Sequence, residues 1–533
     1  MHRMRPKSFP IWVVPCALAL AALAAFWFST PHGVGLGFDS ITYIAVARSL
    51  LSGGGLGRYN CAGFKPLTLW PPLYPIVLAS IGRLGMDPTL ASRLAGAIGY
   101  ALTILFGGLL AGRAAASRAA AAMASSLLFL SAPLLQVSTW AMSEHLFLPL
   151  TLASFLLLRP SIKSSSRKAL LAAGVCAGAA ALTRYVGAIA VLAGAITLAI
   201  IHDRTGRRRW LDAGLFTLCG LLPLALWFAF NALVVGTATN RRLDFHPPNA
   251  NDLALPAKTI AGWLLPDRLN IVPLQGLAIA ATAVLVIFAL VWNVSRMRSR
   301  PNDPESWTLN LSLFAILYPV MILASATFLT PGILEPLGER LLIPLHAAVL
   351  ILICVLAVVL GSQVKSVGRT IAIVASLSLL LVYCVRYPGL LRGLRSDGQG
   401  FASAYLQESE TSHALRSLQT QMIYTNDIQA LYFLANKVSC AIPTPTSNAG
   451  IEEMRSNLRA EDGVVVIFGR LSSEFLPFEQ VTSGLDVLEA LPDAVVYGYP
   501  LSHSLPVPSC TAQPCPRPIR WPVRGLPRGV EHS

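Results

Sequence analysis

Four charged residues stand out because each lies at the edge of a long apolar stretch. Asp39, in the stretch "GLGFDSITY", follows the first apolar run almost at once, and Glu144 occupies a turn otherwise free of charge. Arg184 and Arg340 lie at the ends of later apolar runs. A carboxylate can accept a proton as a general base. An arginine at a membrane boundary either extends to the interface or binds phosphate. These residue types predict proton transfer and anion binding beside a membrane.

Both acids also have a structural interpretation. Asp39 could be the N-cap of a helix over 41–52, with its carboxylate accepting the backbone N–H of Thr42. Glu144 follows Ser143 and could be a helix-start glutamate that is stabilised by the helix dipole. The residues alone favour neither interpretation of Asp39, and one residue can do both.

The elements around these residues are apolar runs. The chain has 533 residues, of which 54% are hydrophobic and 13% charged, with a mean hydropathy of +0.60. This composition excludes a soluble globular protein. Runs of roughly 17 to 23 residues match the length of a membrane-crossing helix, although some are shorter. They predict about eleven spans, near 11–29, 90–112, 119–136, 145–158, 169–183, 186–201, 211–234, 271–293, 307–329, 341–360 and 370–385.

The loops predict the orientation. We expect an uncleaved first span and a cytoplasmic N-terminus, because every loop then placed inside is basic and the outer turns are nearly free of lysine and arginine. The formal net charge of +15 therefore indicates cytoplasmic loops that face anionic lipid rather than nucleic acid.

Two outer segments are too long to be simple connections. In the first, from about 31 to 89, "DSITYIAVARSLLSGG" predicts an amphipathic helix in the interface, and Pro71 and Pro72 suit the first turn of the next helix. The second segment, from about 235 to 270, predicts an irregular loop. Its charged residues are either solvated or in contact with substrate: Arg241, Arg242, Asp244 and His246.

The chain changes character near residue 390. "QMIYTNDIQALYFLANK", "DGVVVIFGR" and "DAVVYGYP" predict strands and a helix of a small α/β domain. The predicted fold is therefore an all-α polytopic membrane protein with an amphipathic first outer loop and a small C-terminal α/β extracytoplasmic domain. We expect a transmembrane catalytic domain over 1–389, the α/β domain over 390–500 and a disordered proline-rich tail over 501–533.

The nine cysteines divide into two groups. Five fall within predicted spans, where they are expected to pack as small apolar residues. Cys61, Cys440, Cys510 and Cys515 would face an oxidising compartment. Cys510 and Cys515 could close a short loop, but their spacing alone is weak evidence, and no zinc pattern accompanies them.

The order of these motifs resembles the GT-C superfamily, the lipid-linked-sugar glycosyltransferases that include protein O-mannosyltransferases and lipid A aminoarabinose transferases. The resemblance covers about residues 8–390. It rests on the acid that closes the first span, the "WPPLY" segment, "STWAMSEHLFLPL", "AALTRYVGAIAVLAGA" and "GERLLIPLHAAVLIL". It implies transfer of a sugar from a polyprenyl-phosphate donor to an acceptor at the extracytoplasmic face of a bacterial inner membrane.

The resemblance also implies residue roles. Asp39 matches the general base of a reaction that inverts the anomeric carbon, and Glu144 matches a second acid that orients the acceptor, helps bind a metal or supports Asp39. Arg340 and Arg184 match donor-phosphate ligands. Where the aminoarabinose transferases have a lysine before the Pro-Pro pair, this chain has Trp70, so Lys65 or Arg58 would have to substitute. The remaining expected substrate contacts are Tyr43, Trp70, Tyr74 and His246.

The resemblance leaves the cofactor and the substrates open. No cofactor is certain, and a divalent cation is used by some members and not by others. The expected partners are the polyprenyl-phosphate-linked sugar, a glycan, lipid or protein acceptor, and the bilayer, with no nucleic acid. The donor sugar can be a hexose or a pentose. The alternatives are a transporter, although we find no inverted repeats, and a non-catalytic component of envelope-polysaccharide assembly.

Overall fold

A computed structural model describes most of the chain, including every charged residue singled out above. It covers residues 10–61, 63–163, 166–200, 206–266, 269, 271–299, 308–330, 338–363, 366–420, 422–444, 448–469, 471 and 475–499. The predictions for the basic N-terminus, the Cys510 to Cys515 loop and the proline-rich tail lie outside the described residues.

The described chain is mainly helical. Its helices are α1 Val13–Ser29, α2 Phe38–Leu51, α3 Leu73–Gly82, α4 Pro88–Ala114, α5 Arg118–Phe129, α6 Ala132–Ser138, α7 Glu144–Lys163, α8 Arg167–Thr183, a 3-10 turn Tyr185–Gly187, α9 Ala188–Ile200, α10 Gly206–Val235, α11 Ala250–Gly262, α12 Val272–Ser299, α13 Leu309–Phe328, α14 Glu339–Gln363, α15 Ser366–Asp397, α16 Ala404–Gln407, α17 Glu410–Ser417, α18 Ile428–Ala435, α19 Asn448–Ala460 and α20 Phe478–Thr482.

The strands are short and fall into three sheets. They are β1 Gly57–Asn60, β2 Gly63–Pro66, β3 Arg242–Leu243, β4 Leu329–Thr330, β5 Ile423–Thr425, β6 Cys440–Ala441, β7 Val464–Phe468, β8 Asp486–Ala490 and β9 Ala494–Gly498.

The chain divides into two compact units. The described part of the first unit comes from Met1–Gly35, Thr42–Gly57 and Pro66–Gln399, and that of the second from Leu36–Ile41, Arg58–Lys65 and Gly400–Ser533. The second unit therefore combines the C-terminal segment with two pieces of the first predicted outer segment, which the sequence did not suggest.

Long apolar helices dominate the first unit. Six of the described helices are long and apolar enough to cross a membrane, and the α5–α6 pair, bent by 57°, would be a seventh. Two shorter apolar helical segments, α1 and Tyr185–Ile200, lie over two other predicted spans. The chain is thus a polytopic membrane protein, while the figure of eleven spans stays a prediction.

Small residues let these helices approach closely. A side chain at Gly99 of α4 would collide with the backbone oxygen of His145 in α7, and one at Gly178 of α8 would lie 2.9 Å from the backbone oxygen of Gly220 in α10. Close backbone approach through small residues is typical of helices that pack within membranes. The α4–α7 contact lies next to Glu144, the first residue of α7.

The prediction that the helix in the first outer segment is amphipathic and lies in the membrane interface is wrong. A helix is present, but α2 begins at Phe38 rather than at residue 41, and most of its residues are buried on every side. A helix that is buried all round packs inside a protein rather than lying on a lipid surface. Isoleucines at helical spacing are equally compatible with a helix buried inside a protein and with one that contacts lipid, so the sequence did not distinguish the two.

The second unit contains a five-stranded sheet in the order β6-β5-β7-β9-β8. β5 pairs in parallel with both β6 and β7, whereas β9 runs antiparallel to β7 and β8. Val464 and Val466 of β7 lie in one apolar cluster, and Val465 and Ile467 lie in another. Helices therefore cover both faces of the sheet, with α18 on the first and α19 on the second.

A disulfide bond links two segments of the second unit that are far apart in the sequence. Cys61, beside the β1–β2 hairpin, is bonded to Cys440 of β6, 379 residues later in the chain. The sequence placed both cysteines in an oxidising compartment but did not pair them.

Candidate active site

Glu144 is a deeply buried acid of the first unit. It begins α7, and only 1% of its side chain is exposed. The preceding turn is fixed by backbone hydrogen bonds, because Gly35 N donates to Thr139 O (2.7 Å) and Ala141 N donates to Gly35 O (2.8 Å). The acid is thus held at a helix N-terminus, where negative charge is favoured.

Arg184 and Arg340 both contact Glu144. Arg340 Nε donates to Glu144 Oε1 at 2.9 Å, and Arg184 Nη1 donates to the same oxygen. The two arginine side chains are 14% and 16% exposed. These three residues, which we call the arginine–glutamate cluster, join the consecutive helices α7 and α8 to α14, which lies far along the chain.

Local structure presents each arginine to the acid. Arg184 follows the last residue of α8 in an extended conformation (φ −148°, ψ 130°), and the 3-10 turn after it redirects the chain. Arg340 is the second residue of α14, where the helix dipole disfavours a cation. Glu144 offsets this unfavourable placement.

Counted over its own three side chains, the cluster has two arginines and one glutamate, a sum of one positive unit, in a mostly buried position. Glu144 Oε2 is also buried and receives no hydrogen bond from the described residues. Opposite charges within about 4 to 6 Å favour the ionised form of a carboxylate. The cluster is therefore suited to bind an anion, and its glutamate is better suited to position the arginines than to take up a proton.

Two of the predicted substrate contacts, Tyr43 and Tyr74, pack next to this cluster. Tyr43 is buried, and its hydroxyl donates to Ser143 Oγ at 3.4 Å, which also accepts from Arg184 Nη1 at 3.5 Å. Tyr74 packs edge-on against Tyr43, with 5.0 Å between ring centroids, and its hydroxyl lies 2.8 Å from Ser92 Oγ. Both tyrosines thus support the cluster from within the protein.

Trp70 belongs to a neighbouring aromatic group. It is half-buried and packs against the cluster of Val46, Leu67 and Trp227. Tyr185, which the sequence analysis missed, ties this group to the segment after Arg184, since its hydroxyl donates to Thr68 O (2.9 Å) and accepts from Trp227 Nε1 (3.2 Å). The available signals were its position directly after Arg184 and its place in the stretch "AALTRYVGAIAVLAGA" that carries part of the resemblance.

Asp39 lies in the second unit. It is the second residue of α2 and is 8% exposed. The expected N-cap position is wrong: the helix begins at Phe38, so Asp39 lies inside its first turn, where Gly37 N also donates to Ser40 Oγ at 3.1 Å. The sequence placed the helix start too late because Asp39 is a more strongly preferred N-cap residue than Gly37, the residue that precedes the helix.

The other predicted ligands are more exposed. Arg58 lies half-buried on β1, and Lys65 lies exposed on β2, both in the second unit. His246 lies exposed in the first unit, with Nδ1 3.0 Å from Asp244 O. The described residues contain no group of three His, Cys, Asp or Glu side chains that could hold a metal ion.

Part of the sequence matches a known family model. Residues 70–230 match the family described as dolichyl-phosphate-mannose-protein mannosyltransferase. This region contains Trp70, Tyr74, Glu144 and Arg184. A comparison with curated protein sequences finds no match.

Solved structures share the fold over most of the chain. ArnT from Cupriavidus metallidurans, crystallised with undecaprenyl phosphate, has a TM-score of 0.58 at 15% identity and covers 92% of this chain and 99% of its own. An Archaeoglobus fulgidus oligosaccharyltransferase in complex with Zn and sulfate has a TM-score of 0.53 at 13% identity, covering 85% of this chain and 68% of its own.

A larger protein shares the same fold. The arabinofuranosyltransferase AftD from Mycobacteria has a TM-score of 0.52 at 16% identity, and the match covers 92% of this chain but 40% of AftD. Together these comparisons confirm the resemblance that the sequence motifs predicted: the chain has the fold of the GT-C membrane glycosyltransferases.

Proposed function

We propose that this protein is a glycosyltransferase that transfers a sugar from a polyprenyl-phosphate donor. The observation that carries the proposal is the arginine–glutamate cluster, a buried site of net positive charge in a fold shared with a structure that holds undecaprenyl phosphate. The family match over residues 70–230 supports the same class of reaction.

Arg340 and Arg184 would bind the donor phosphate. When the bond between the anomeric carbon and the phosphate oxygen breaks, negative charge grows on the leaving phosphate. Guanidinium groups suit this oxyanion because they can form two parallel N–H···O bonds to it. Glu144 would hold the two guanidinium groups close together, which their mutual repulsion opposes.

Asp39 would be the general base. In the proposed step the acceptor oxygen or nitrogen forms a bond to the anomeric carbon from the face opposite the phosphate. The carbon–phosphate oxygen bond breaks, and polyprenyl phosphate leaves with the bonding electrons. Asp39 takes the acceptor proton, and the anomeric carbon is inverted. The motif resemblance supports this role for Asp39 more than it supports one for Glu144, whose carboxylate is already engaged by two cations.

An extracytoplasmic reaction at a bacterial inner membrane fits the disulfide bond and the basic loops. A Cys61–Cys440 bond forms and persists in an oxidising compartment. The predicted positive-inside orientation places the same two residues outside. The sugar and the acceptor stay open, and Trp70 in place of a lysine argues against assuming aminoarabinose.

The decisive experiment combines cells and purified protein. Cells that lack the gene should accumulate one polyprenyl-phosphate-linked sugar, detected by mass spectrometry of extracted lipids. Adding the purified protein to membranes from those cells should convert that lipid to polyprenyl phosphate and a glycosylated product. An unchanged pool of lipid-linked sugars, with none consumed on addition of the protein, would contradict the proposal.

A further inference from the structure

We propose that β3 and β4 form an anchor that inserts into the membrane–water interface and binds its phospholipids. This two-stranded ribbon belongs to the first unit and joins two outer segments that the sequence treated as separate loops. The proposal rests on the membrane character of the chain and not on its enzymatic activity.

The pairing of the ribbon is regular. Arg242 lies opposite Thr330, and Leu243 lies opposite Leu329. The pairing continues beyond the strands, because Asp244 N donates to Phe328 O at 3.1 Å and His246 N donates to Thr327 O at 2.9 Å. The ribbon is thus bonded to the last turn of α13.

The length of α13 places the ribbon at the interface. Leu309–Phe328 has 20 residues, so the helix is about 30 Å long, which matches the hydrocarbon thickness of a bilayer. Leu329 and Thr330 follow without a linker. A strand that begins where a span ends lies at the level of the lipid headgroups.

The two faces of the ribbon differ in chemistry. Side chains alternate along a strand, so Leu243 and Phe245 share one face, while Arg242 and Asp244 share the other. Leu243 is 86% exposed and Phe245 is 69% exposed. Leu329, which lies opposite Leu243, extends the apolar face, and the ring of Phe328 at the end of α13 lies 5.6 Å from that of Phe245.

On the polar face, two side chains are hydrogen-bonded to each other and an arginine provides a positive charge. Thr330 Oγ1 donates to Asp244 Oδ2 at 3.2 Å, and Arg242 is exposed beside them. Apolar side chains at the edge of the hydrocarbon together with arginine at headgroup level form a typical interfacial pattern. Phospholipid supplies both the acyl chains and the phosphates that such a ribbon would contact.

The test measures which side chains face lipid. Single cysteines at positions 242, 243, 244 and 245 are labelled with a nitroxide in nanodiscs, in a full-length background that keeps Cys61 and Cys440 and replaces the other cysteines. Collision rates with oxygen, which concentrates in lipid, are compared with those of a water-soluble nickel chelate. Reference labels sit at Leu377, an exposed residue of α15, and at Glu452, an exposed residue of α19.

The expected result is an alternation. Labels at 243 and 245 should give an oxygen-to-nickel ratio several-fold above those at 242 and 244 and close to that at 377. Equal nickel access at all four positions, at the level of 452, would overturn the proposal. A second result would also overturn the proposal: both reagents reach the labels at 243 and 245 in pure lipid, but neither reagent reaches them in native membranes. That pattern indicates that a protein partner covers the ribbon.

Discussion

Each unit of the molecule buries polar side chains, but the two units use them differently. In the second unit, Asn426 Nδ2 donates to Phe468 O at 2.8 Å and its Oδ1 accepts from Phe468 N at 2.9 Å. Asp427 accepts from the backbone N–H groups of Gln429 and Ala430 at the start of α18. These bonds connect the ends of β5 and β7 and cap a helix, so the "YTND" stretch is structural.

In the arginine–glutamate cluster of the first unit, charged side chains bond to one another rather than to backbone groups. Its three side chains sum to one positive unit, and Glu144 Oε2 receives no hydrogen bond from the part of the chain described. A buried polar group with a complete set of backbone partners stabilises a fold, whereas a buried site with residual charge is suited to bind a ligand. Changes in the first unit should therefore alter turnover, and changes in the "YTND" stretch should alter stability.

Asp39 provides the strongest test, because it is the residue of the second unit to which we assign chemistry. We expect Asp39→Asn to lower sugar transfer by about 10²–10⁴-fold, since an amide cannot accept the acceptor proton. Transfer is measured with purified protein in lipid, with thermal melting matched to the wild type. Near-normal turnover would remove Asp39 from the chemistry and leave its unit structural throughout.

Arg340 tests the anion site. Losing a hydrogen bond to a charged group costs about 1.5–3 kcal/mol, so Arg340→Ala should reduce donor use by about 10- to 100-fold. Arg340→Lys should recover part of this loss, because it restores a point charge but not a fork of donors. Arg455→Ala, in the second unit, is the matched control. Unchanged donor kinetics in both Arg340 variants would exclude the residue from the site.

Glu144 separates positioning from base catalysis. Glu144→Gln keeps an oxygen for the arginines but raises the net charge of the cluster. We expect tighter binding of polyprenyl phosphate and a loss of turnover below about 10-fold, less than the ~10²–10⁴-fold for removal of a general base. Glu452→Gln, an exposed acid paired with Arg455, is the control. A loss as large as that of Asp39→Asn, with unchanged phosphate binding, would identify Glu144 as the base.

Asn426 tests the structural side of the comparison. Asn426→Ala leaves the buried backbone groups of Phe468 without their partner, and each such group costs about 1–3 kcal/mol. Thermal melting should fall while sugar transfer at low temperature stays normal. Asn457→Ala, which removes a single bond to the hydroxyl of Tyr424, should have a smaller effect. A drop in transfer with unchanged melting would make the "YTND" stretch part of the site.

Asp427 should give the smallest effect. Burial raises the pKa of Asp427, although bonds from Ala430 and Gln429 lower it. An acid with a higher pKa in the folded state contributes stability at low pH and loses that contribution as the pH rises through its folded pKa. Asp427→Asn, a neutral cap of similar quality, should thus stabilise the protein by about 1 kcal/mol or less near pH 7 and by less at pH 4. Melting curves across this pH range measure the difference, and an Asn variant that melts lower at every pH would contradict it.

The sequence by itself determined the helices and the class of protein. Nine of the eleven predicted spans lie over a single helix, while 119–136 is divided between α5 and α6 and 186–201 begins in the 3-10 turn before α9. The agreement is close because the length of a run and the rise per residue are local properties. The sequence also predicted three of the C-terminal strands, since β5, β7 and β9 lie within the stretches quoted for them. The motifs also identified the fold that the solved structures share.

Only the tertiary structure decided which of these residues meet. Glu144 is separated by 40 residues from Arg184 and by 196 residues from Arg340, and no local pattern specified that one carboxylate oxygen would bind both. The Cys61–Cys440 bond and the burial of α2 were hidden for the same reason. Hydrophobic periodicity indicates that one face of a helix is buried, but it does not indicate what covers that face, because lipid and the protein interior are both apolar.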